Sequence, residues 1–306
     1  MYLMPWKWNY EKKTNVGKST IYIVHNIIQL MTHGTLCVIA CPMLEDELIH
    51  CMKNDPEGKR IVVLNTDHNG SLKRKLDYNK LSYELMDEWD FMHDCNDLDH
   101  ENSFNIVIRM MDLALHAEPK NLMRTLQEDL VMLQGHVDAG ALYYGMCGNY
   151  GWDISKWAES HISFPVATFR DRQGRICDDC VGVAVGGYEG YKRLIKEFTG
   201  VMLFTPEIAT NWTDFLSASD MMKGVADKDR NSKEQIKTIL DMCGYTSVVQ
   251  IDTGYEPREE FDAATKEFAD YMHFKILQAS SDYLDKWPAE NLYNQCKKLL
   301  DESHTV

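Results

Sequence analysis

The chain has 306 residues with 32 Lys+Arg against 47 Asp+Glu, a formal net charge of −15, and is 44% hydrophobic and 26% charged. That is the balance of a globular protein with ample core, enough for one large α/β domain or two small ones. An acidic chain lacks the basic face that phosphate binding needs, which argues against a nucleic-acid partner, and no run of about 18 apolar residues is present to span a membrane.

Met1–Tyr10 is aromatic without a cleavage signal, and the apolar stretch Tyr22–Met31 is interrupted by His25, Asn26 and Gln29. A secretory peptide has a longer clean core ending in small residues, so residues 1–34 read as a peripheral segment and the protein as cytoplasmic. Val16-Gly17-Lys18-Ser19-Thr20 is not a phosphate loop: Lys12 stands where the motif needs Gly, and no strand feeds it.

Leu36–Ala40 is a short apolar run ending at Cys41-Pro42, the pattern of a buried parallel strand. Helical spacing over Leu44–Met52, a turn at Asp55-Pro56-Glu57-Gly58 and a strand at Arg60–Leu64 complete a βαβ unit. Ser71–Gly135 is charged and helical in pattern, with Asp90–Asn105 an acidic break between two helices. Val137–Tyr144 opens a second strand region, followed by the glycine-rich turn Gly145–Gly151. Ile162–Thr168 and Val181–Val185 are further short strand-like runs. Glu189–Phe198 reads as helix, Val201–Thr205 as strand, Lys233–Met242 as helix and Tyr245–Asp252 as a last strand. From Glu256 the chain is helical and acidic, broken by Pro288.

The alternation predicts an α/β fold: mostly parallel sheet or sheets with helices on both faces, as two Rossmann-like lobes around a cleft or as one continuous sheet. Residues 35–255 form the α/β core and 256–306 a helical tail.

Cysteines stand at 37, 41, 51, 95, 147, 177, 180, 243 and 296. An odd number without an export signal implies reduced thiols, most of them plain core. Cys177-Asp178-Asp179-Cys180 has the spacing of half a metal site, and its flanking aspartates raise thiol pKa values unless a cation is bound. Three strand ends each deliver a soft or borderline ligand, Cys41, His68 and Cys147, and strand ends face the ligand crevice in open α/β sheets. Cys180 lies just before the strand-like run at 181. Sulfur and imidazole suit zinc, iron and cobalt alike. Gly145, Gly148 and Gly151 let backbone approach a ligand, but Cys147 occupies the second glycine of the dinucleotide fingerprint. Gly186-Gly187 before a helix is either an anion nest or a tight connection.

Four stretches together carry a family likeness: Ile39–Leu48 (IACPMLEDEL), Asp67-His68-Asn69 with Leu72, Leu142–Asn149 (LYYGMCGN), and Asp179–Tyr191 running on to Phe204-Thr205-Pro206. On these the chain resembles the uncharacterised domain-of-unknown-function family numbered 1638, of methanogenic archaea and other anaerobes. Members often occur beside corrinoid-dependent methyl-transfer systems, which implies a corrinoid protein or methyltransferase as partner. Two places depart from the pattern. Phe91–Pro119 reads as an insertion (91–119), and Arg170–Ile176 replaces a shorter run with a His before the Asp-Cys, where Asp178 now stands.

The expected protein is therefore a cytoplasmic metal-binding protein of unknown reaction, with a zinc or iron ion held by Cys41, His68, Cys147 and Cys180. The alternative is an accessory or cofactor-binding protein of a corrinoid-dependent methyl-transfer system. Asn69, Asn149, Gly145, Gly148, Gly186 and Gly187 are the candidate cofactor contacts, and Asp179 and Asn149 the candidate catalytic groups. Ligands drawn from distant segments of a chain that builds its own core predict a cofactor-facing site, with an apo form that stays folded.

Overall fold

Gly34–Ala40 (β1) is buried along its whole length, as a strand must be when both faces of its sheet are covered. Its side chains alternate between two cores: Leu36, Val38 and Ala40 enter one, Cys37, Ile39 and Cys41 the other. This computed structural model describes residues 32–93, 98–222, 224–226 and 229–303. The apolar stretch Tyr22–Met31, the segment 16–20 and Cys95 lie outside those residues.

Arg60–Leu64 (β2), Glu84–Met86 (β3), Phe104–Met110 (β4), Ala139–Tyr143 (β5) and Val166–Thr168 (β6) join β1 in one sheet. The order is β3-β2-β4-β1-β5-β6 and every pairing is parallel. A second parallel sheet, β7-β8-β9, is built from Val201–Phe204, Ser247–Gln250 and Lys275–Gln278. The chain thus has a Rossmann-like α/β fold with two parallel sheets.

The helices of the first half are Glu45–Asn54 (α1), Gly70–Tyr78 (α2), Glu88–His93 (α3), Pro119–Met132 (α4) and Ile154–His161 (α5). Those of the second are Cys180–Ala184 (α6), Tyr188–Glu197 (α7), Pro206–Thr210 (α8), Trp212–Ser217 (α9), Lys233–Met242 (α10), Arg258–Met272 (α11) and Trp287–Ser303 (α12). The core containing Cys37, Ile39 and Cys41 continues into Phe204 and Val248 of the second sheet. Ala289, Leu292, Cys296 and Leu300 of α12 close the opposite face of the first sheet. Among the described residues no helix is long and apolar enough to cross a membrane.

Four expectations need correction. Asp90–Asn105 is not simply a break between helices: it leads into β4, which lies between β2 and β1, so the expected insertion 91–119 carries a central strand. Val181–Val185 is not a strand, because Asp179 Oδ1 accepts from Gly182 N (2.7 Å) and caps a short helix that begins at Cys180. The chain after Glu256 is not all helix, since β9 interrupts it. Pro288 breaks nothing; it sits in the first turn of α12, where its missing N–H costs no bond.

Candidate functional site

The connection leaving β1 runs toward β2 and the one leaving β5 runs toward β6, on opposite sides of the adjacent pair β1–β5. Connections that part in this way leave a crevice above the strand ends, where open α/β sheets bind ligands. Cys41 ends β1, its N–H donating to Tyr143 O (3.2 Å) of β5. Cys147 lies in the turn that follows β5. A third segment closes on that turn: Met146 N donates to Cys177 O (2.8 Å) and Asp178 O (3.0 Å), bringing Cys180 at the start of α6 alongside.

The described cysteines stand as thiols, not disulfides. Cys41 is buried; Cys147 and Cys180 are partly covered. Burial, reinforced by the neighbouring Cys147, pushes the Cys41 thiol well above its ordinary value. Burial raises Cys147 to about 11 against the pull of hydrogen bonds from Gly148 and Gly145. Cys180 is pushed well up by burial, then by Asp179, Cys41 and Cys147. Three thiols, two at strand ends and one at the start of α6, therefore stand within one another's electrostatic reach, and all three hold their protons at neutral pH. Tyr144 is buried beside Cys41 and Cys147, and Tyr191 of α7 stands near Asp179 and Cys180. Among the described residues no three His, Cys, Asp or Glu side chains are already arranged to enclose a metal ion.

The other expected site residues have varied fates. His68 is exposed on the turn after β2, its N–H donating to Thr66 Oγ1 (3.3 Å). Cys177 is buried in the core on the opposite side of the sheet from Cys41, the core that also holds Tyr143, Phe169 and Val183, whereas Cys180 packs against both cores. Asn69 is buried and donates to Leu64 O (2.9 Å). Asn149 donates to Gly145 O (3.0 Å) and Thr168 Oγ1 (3.2 Å), bracing the turn that carries Cys147. Asp179 is engaged as the cap of α6, and burial together with Asp178 raises its carboxyl.

The protein itself fills the space beside each of the four glycines. A Cβ on Gly145 would lie 2.9 Å from Cys177 O and 3.1 Å from Asp178 O, so glycine is what lets the two segments meet. A Cβ on Gly148 would run into Tyr144. Gly186 and Gly187 have φ of +88° and +87°, and their N–H groups donate to Val183 O and Gly182 O. With both amides spent on backbone, that turn is a tight connection and not an anion nest.

Sequence reasoning missed the charged group next to the thiols. Lys75 of α2 is fully buried, its Nζ 2.5 Å from Asp46 Oδ1 and 2.5 Å from Glu207 Oε1. Glu256 and Glu45 stand farther out, at 3.6 and 3.8 Å. Thr253 donates to Asp46, and Ser71 Oγ donates to Glu207 Oε1 (2.8 Å). Burial pushes the Asp46 carboxyl up, but Lys75 outweighs it and leaves it below its ordinary value. Burial and Glu207 drive Glu45 well above the usual carboxylate range, against the opposing pull of Lys75. Glu45 and Glu207 also act on Cys41, which joins this cluster to the thiols. A signal was present: Leu72, Lys75 and Leu76 share one helical face, which puts the lysine on the buried stripe.

A family model described as a protein of unknown function (DUF1638) matches residues 110–285, which takes in Cys147 and Cys180. No curated protein and no solved structure matches the chain.

Proposed function

The chain belongs to the DUF1638 family of proteins of unknown function, and from that premise we propose that it binds a soft metal ion through the thiols of Cys41, Cys147 and Cys180. The observation that carries this reading is the meeting of three segments, the end of β1, the turn after β5 and the stretch leading into α6, held by Cys41 N to Tyr143 O and Met146 N to Cys177 O and Asp178 O, which brings three thiols within one another's electrostatic reach. Sulfur donors select zinc, iron or another soft ion over magnesium or calcium. Each thiol is held protonated by burial and by its neighbours, so binding displaces three protons and the cation offsets the repulsion among the thiolates that results. His68, on an exposed turn, is left out of the ligand set.

The donors come from segments far apart in a chain whose sheets bury their own cores, so the ion serves chemistry or ligand binding and not folding. Asn149 and Gly145 hold the Cys147 turn, and Tyr144 and Tyr191 line the surroundings.

The test is metal analysis of anaerobically purified protein, then titration of the stripped protein with Co(II), followed by thiolate-to-cobalt absorption. One ion per chain is expected, falling below about a tenth in Cys41→Ser, Cys147→Ser and Cys180→Ser. No bound metal and no thiolate band in the unmodified protein would sink the reading.

A further inference from the structure

His50, on the outer part of α1, stands between two oxygen groups from distant parts of the chain. Its Nδ1 is 2.5 Å from Tyr255 Oη and its Nε2 2.9 Å from Glu290 Oε1. An ionised carboxylate only accepts, so Glu290 fixes the hydrogen of the neutral ring on Nε2 and leaves Nδ1 as the acceptor. The Tyr255 phenol then donates to Nδ1. Asn54 Nδ2 donates to His50 O (2.8 Å), stands 3.2 Å from His50 Nδ1 and reaches toward the same phenol oxygen at 3.5 Å, so it shares the Nδ1 side of the ring with the phenol. The Tyr255 backbone is pinned from the other side, its carbonyl accepting from Asn79 Nδ2 (3.0 Å). Hydroxyl, imidazole and carboxylate thus stand in the order of a nucleophile, its base and the group that orients the base.

Two further features bear on chemistry at this relay. The ammonium groups of Lys286 and Lys53 lie 5.6 and 5.8 Å from the Tyr255 ring centroid, and the charge of Lys286 favours the ionised phenol. A pocket of about 220 Å³ opens on the other side of the relay, with His50, Asn54 and Glu290 among its walls and Tyr255 outside them, room for a small ligand against the imidazole and the carboxylate.

We propose that Tyr255, His50 and Glu290 form a second, nucleophilic site that takes acyl groups from activated esters of small carboxylic acids. Tyr255 Oη attacks the ester carbonyl carbon as its proton passes to His50 Nδ1. The new phenol–acyl bond forms, the bond to the leaving oxygen breaks, and that oxygen takes the proton back from the imidazolium. The products are acyl-tyrosine and the free alcohol, with no oxidant or further reactant consumed. Burial raises the Tyr255 phenol, so it is not ionised in advance and depends on His50 at the moment of attack.

The probe is p-nitrophenyl acetate, with acetylated tyrosines located by peptide mass spectrometry. Tyr255 is expected to label at least about 10-fold faster than the exposed Tyr78 and Tyr271 of the same molecule, within the range general-base assistance supplies. Glu290→Gln, on a side chain more than half exposed, should cut the rate several-fold while the circular dichroism spectrum is unchanged. His50→Gln, which keeps a hydrogen-bonding group but no base, should abolish the advantage. Labelling of Tyr255 no faster than Tyr78 overturns the proposal. So does fast labelling that the folded Glu290→Gln variant leaves untouched.

Discussion

Lys75 Nζ and Glu207 Oε1 stand 2.5 Å apart, a buried contact that ties the helix after β2 of one sheet to the helix after β7 of the other. Thr253, in the loop after β8, adds a second tie through Asp46. The strand ends of the two sheets are therefore pinned by charge as well as by the shared apolar core, and the thiol of Cys41 lies within the field of that pin. Removing the cation leaves buried carboxylates facing one another, and breaking a buried pair from one side costs about 3–5 kcal/mol. Lys75→Met is expected to lose that much at pH 7.5 in urea unfolding followed by circular dichroism. The deficit should shrink at pH 5.5, where the carboxylates take up protons. Equal stability of the two proteins at pH 7.5 would show that the pin contributes nothing.

Glu45 supplies a pH dependence with a definite sign. Its folded pKa is raised by burial and by Glu207, so its contribution is fully present below the ordinary carboxylate range and is lost as pH rises through the raised value. Glu45→Gln cannot ionise and escapes that loss. Its urea midpoint should exceed that of the unmodified protein at pH 8.5, and the two should converge toward pH 5. A variant less stable than the parent at pH 8.5 contradicts the assignment.

Metal binding should discriminate among the cysteines and exclude the histidine. Cys37→Val, in the core of β1, is nearly volume-conserving and should cost less than about 1.5 kcal/mol with metal content intact. His68→Ala, on an exposed turn, should change stability by less than about 0.5 kcal/mol and leave Co(II) binding unchanged. Loss of the ion in His68→Ala would restore the histidine to the ligand set.

Because three thiols must each lose a proton, the apparent affinity for Co(II) should fall roughly a thousand-fold for each pH unit below neutrality. Isothermal titration in two buffers of different ionisation enthalpy counts the protons released. A count of one or none would mean that the thiols do not bind together. The stripped protein should keep its far-UV circular dichroism, and collapse of that signal would point to a structural ion instead.

Gly145→Ala tests whether the Cys147 turn and the segment before α6 must meet. The added methyl lies within 2.9 to 3.1 Å of backbone atoms of residues 177–179, which have to shift. A cost on the order of 1–3 kcal/mol is expected, together with weaker Co(II) binding. Gly58→Ala, with open space around it, is the control and should be close to neutral. Unchanged metal binding in a destabilised Gly145→Ala protein would separate the turn from the site.

The strands that could be read from residues alone are those whose apolar run is unbroken. Leu36–Ala40 and the Arg60–Leu64 segment announce themselves because both faces are buried and every position selects for apolar side chains. Phe104–Met110 is just as central but carries Asn105 and Arg109, whose polar ends are met largely by groups from other segments: Thr35 Oγ1 and Asp99 O beside the local Ser103 O for one, Asp129 and Glu88 for the other. Lys275–Gln278 lies on an open edge with all four residues exposed, so no burial pattern marks it. Val181–Ala184 has strand-like side chains and becomes helix because Asp179 caps it, a choice made by one local hydrogen bond. Cys41 and Cys147 were legible as strand-end thiols, since position at the carboxyl end of a parallel strand follows from the alternation of elements. What sequence could not decide is which side of the sheet each thiol faces and which charge reaches it. That choice sends Cys177 into the far core, leaves His68 on an exposed turn and buries Lys75 among carboxylates, because each depends on segments far apart in the chain meeting in the fold.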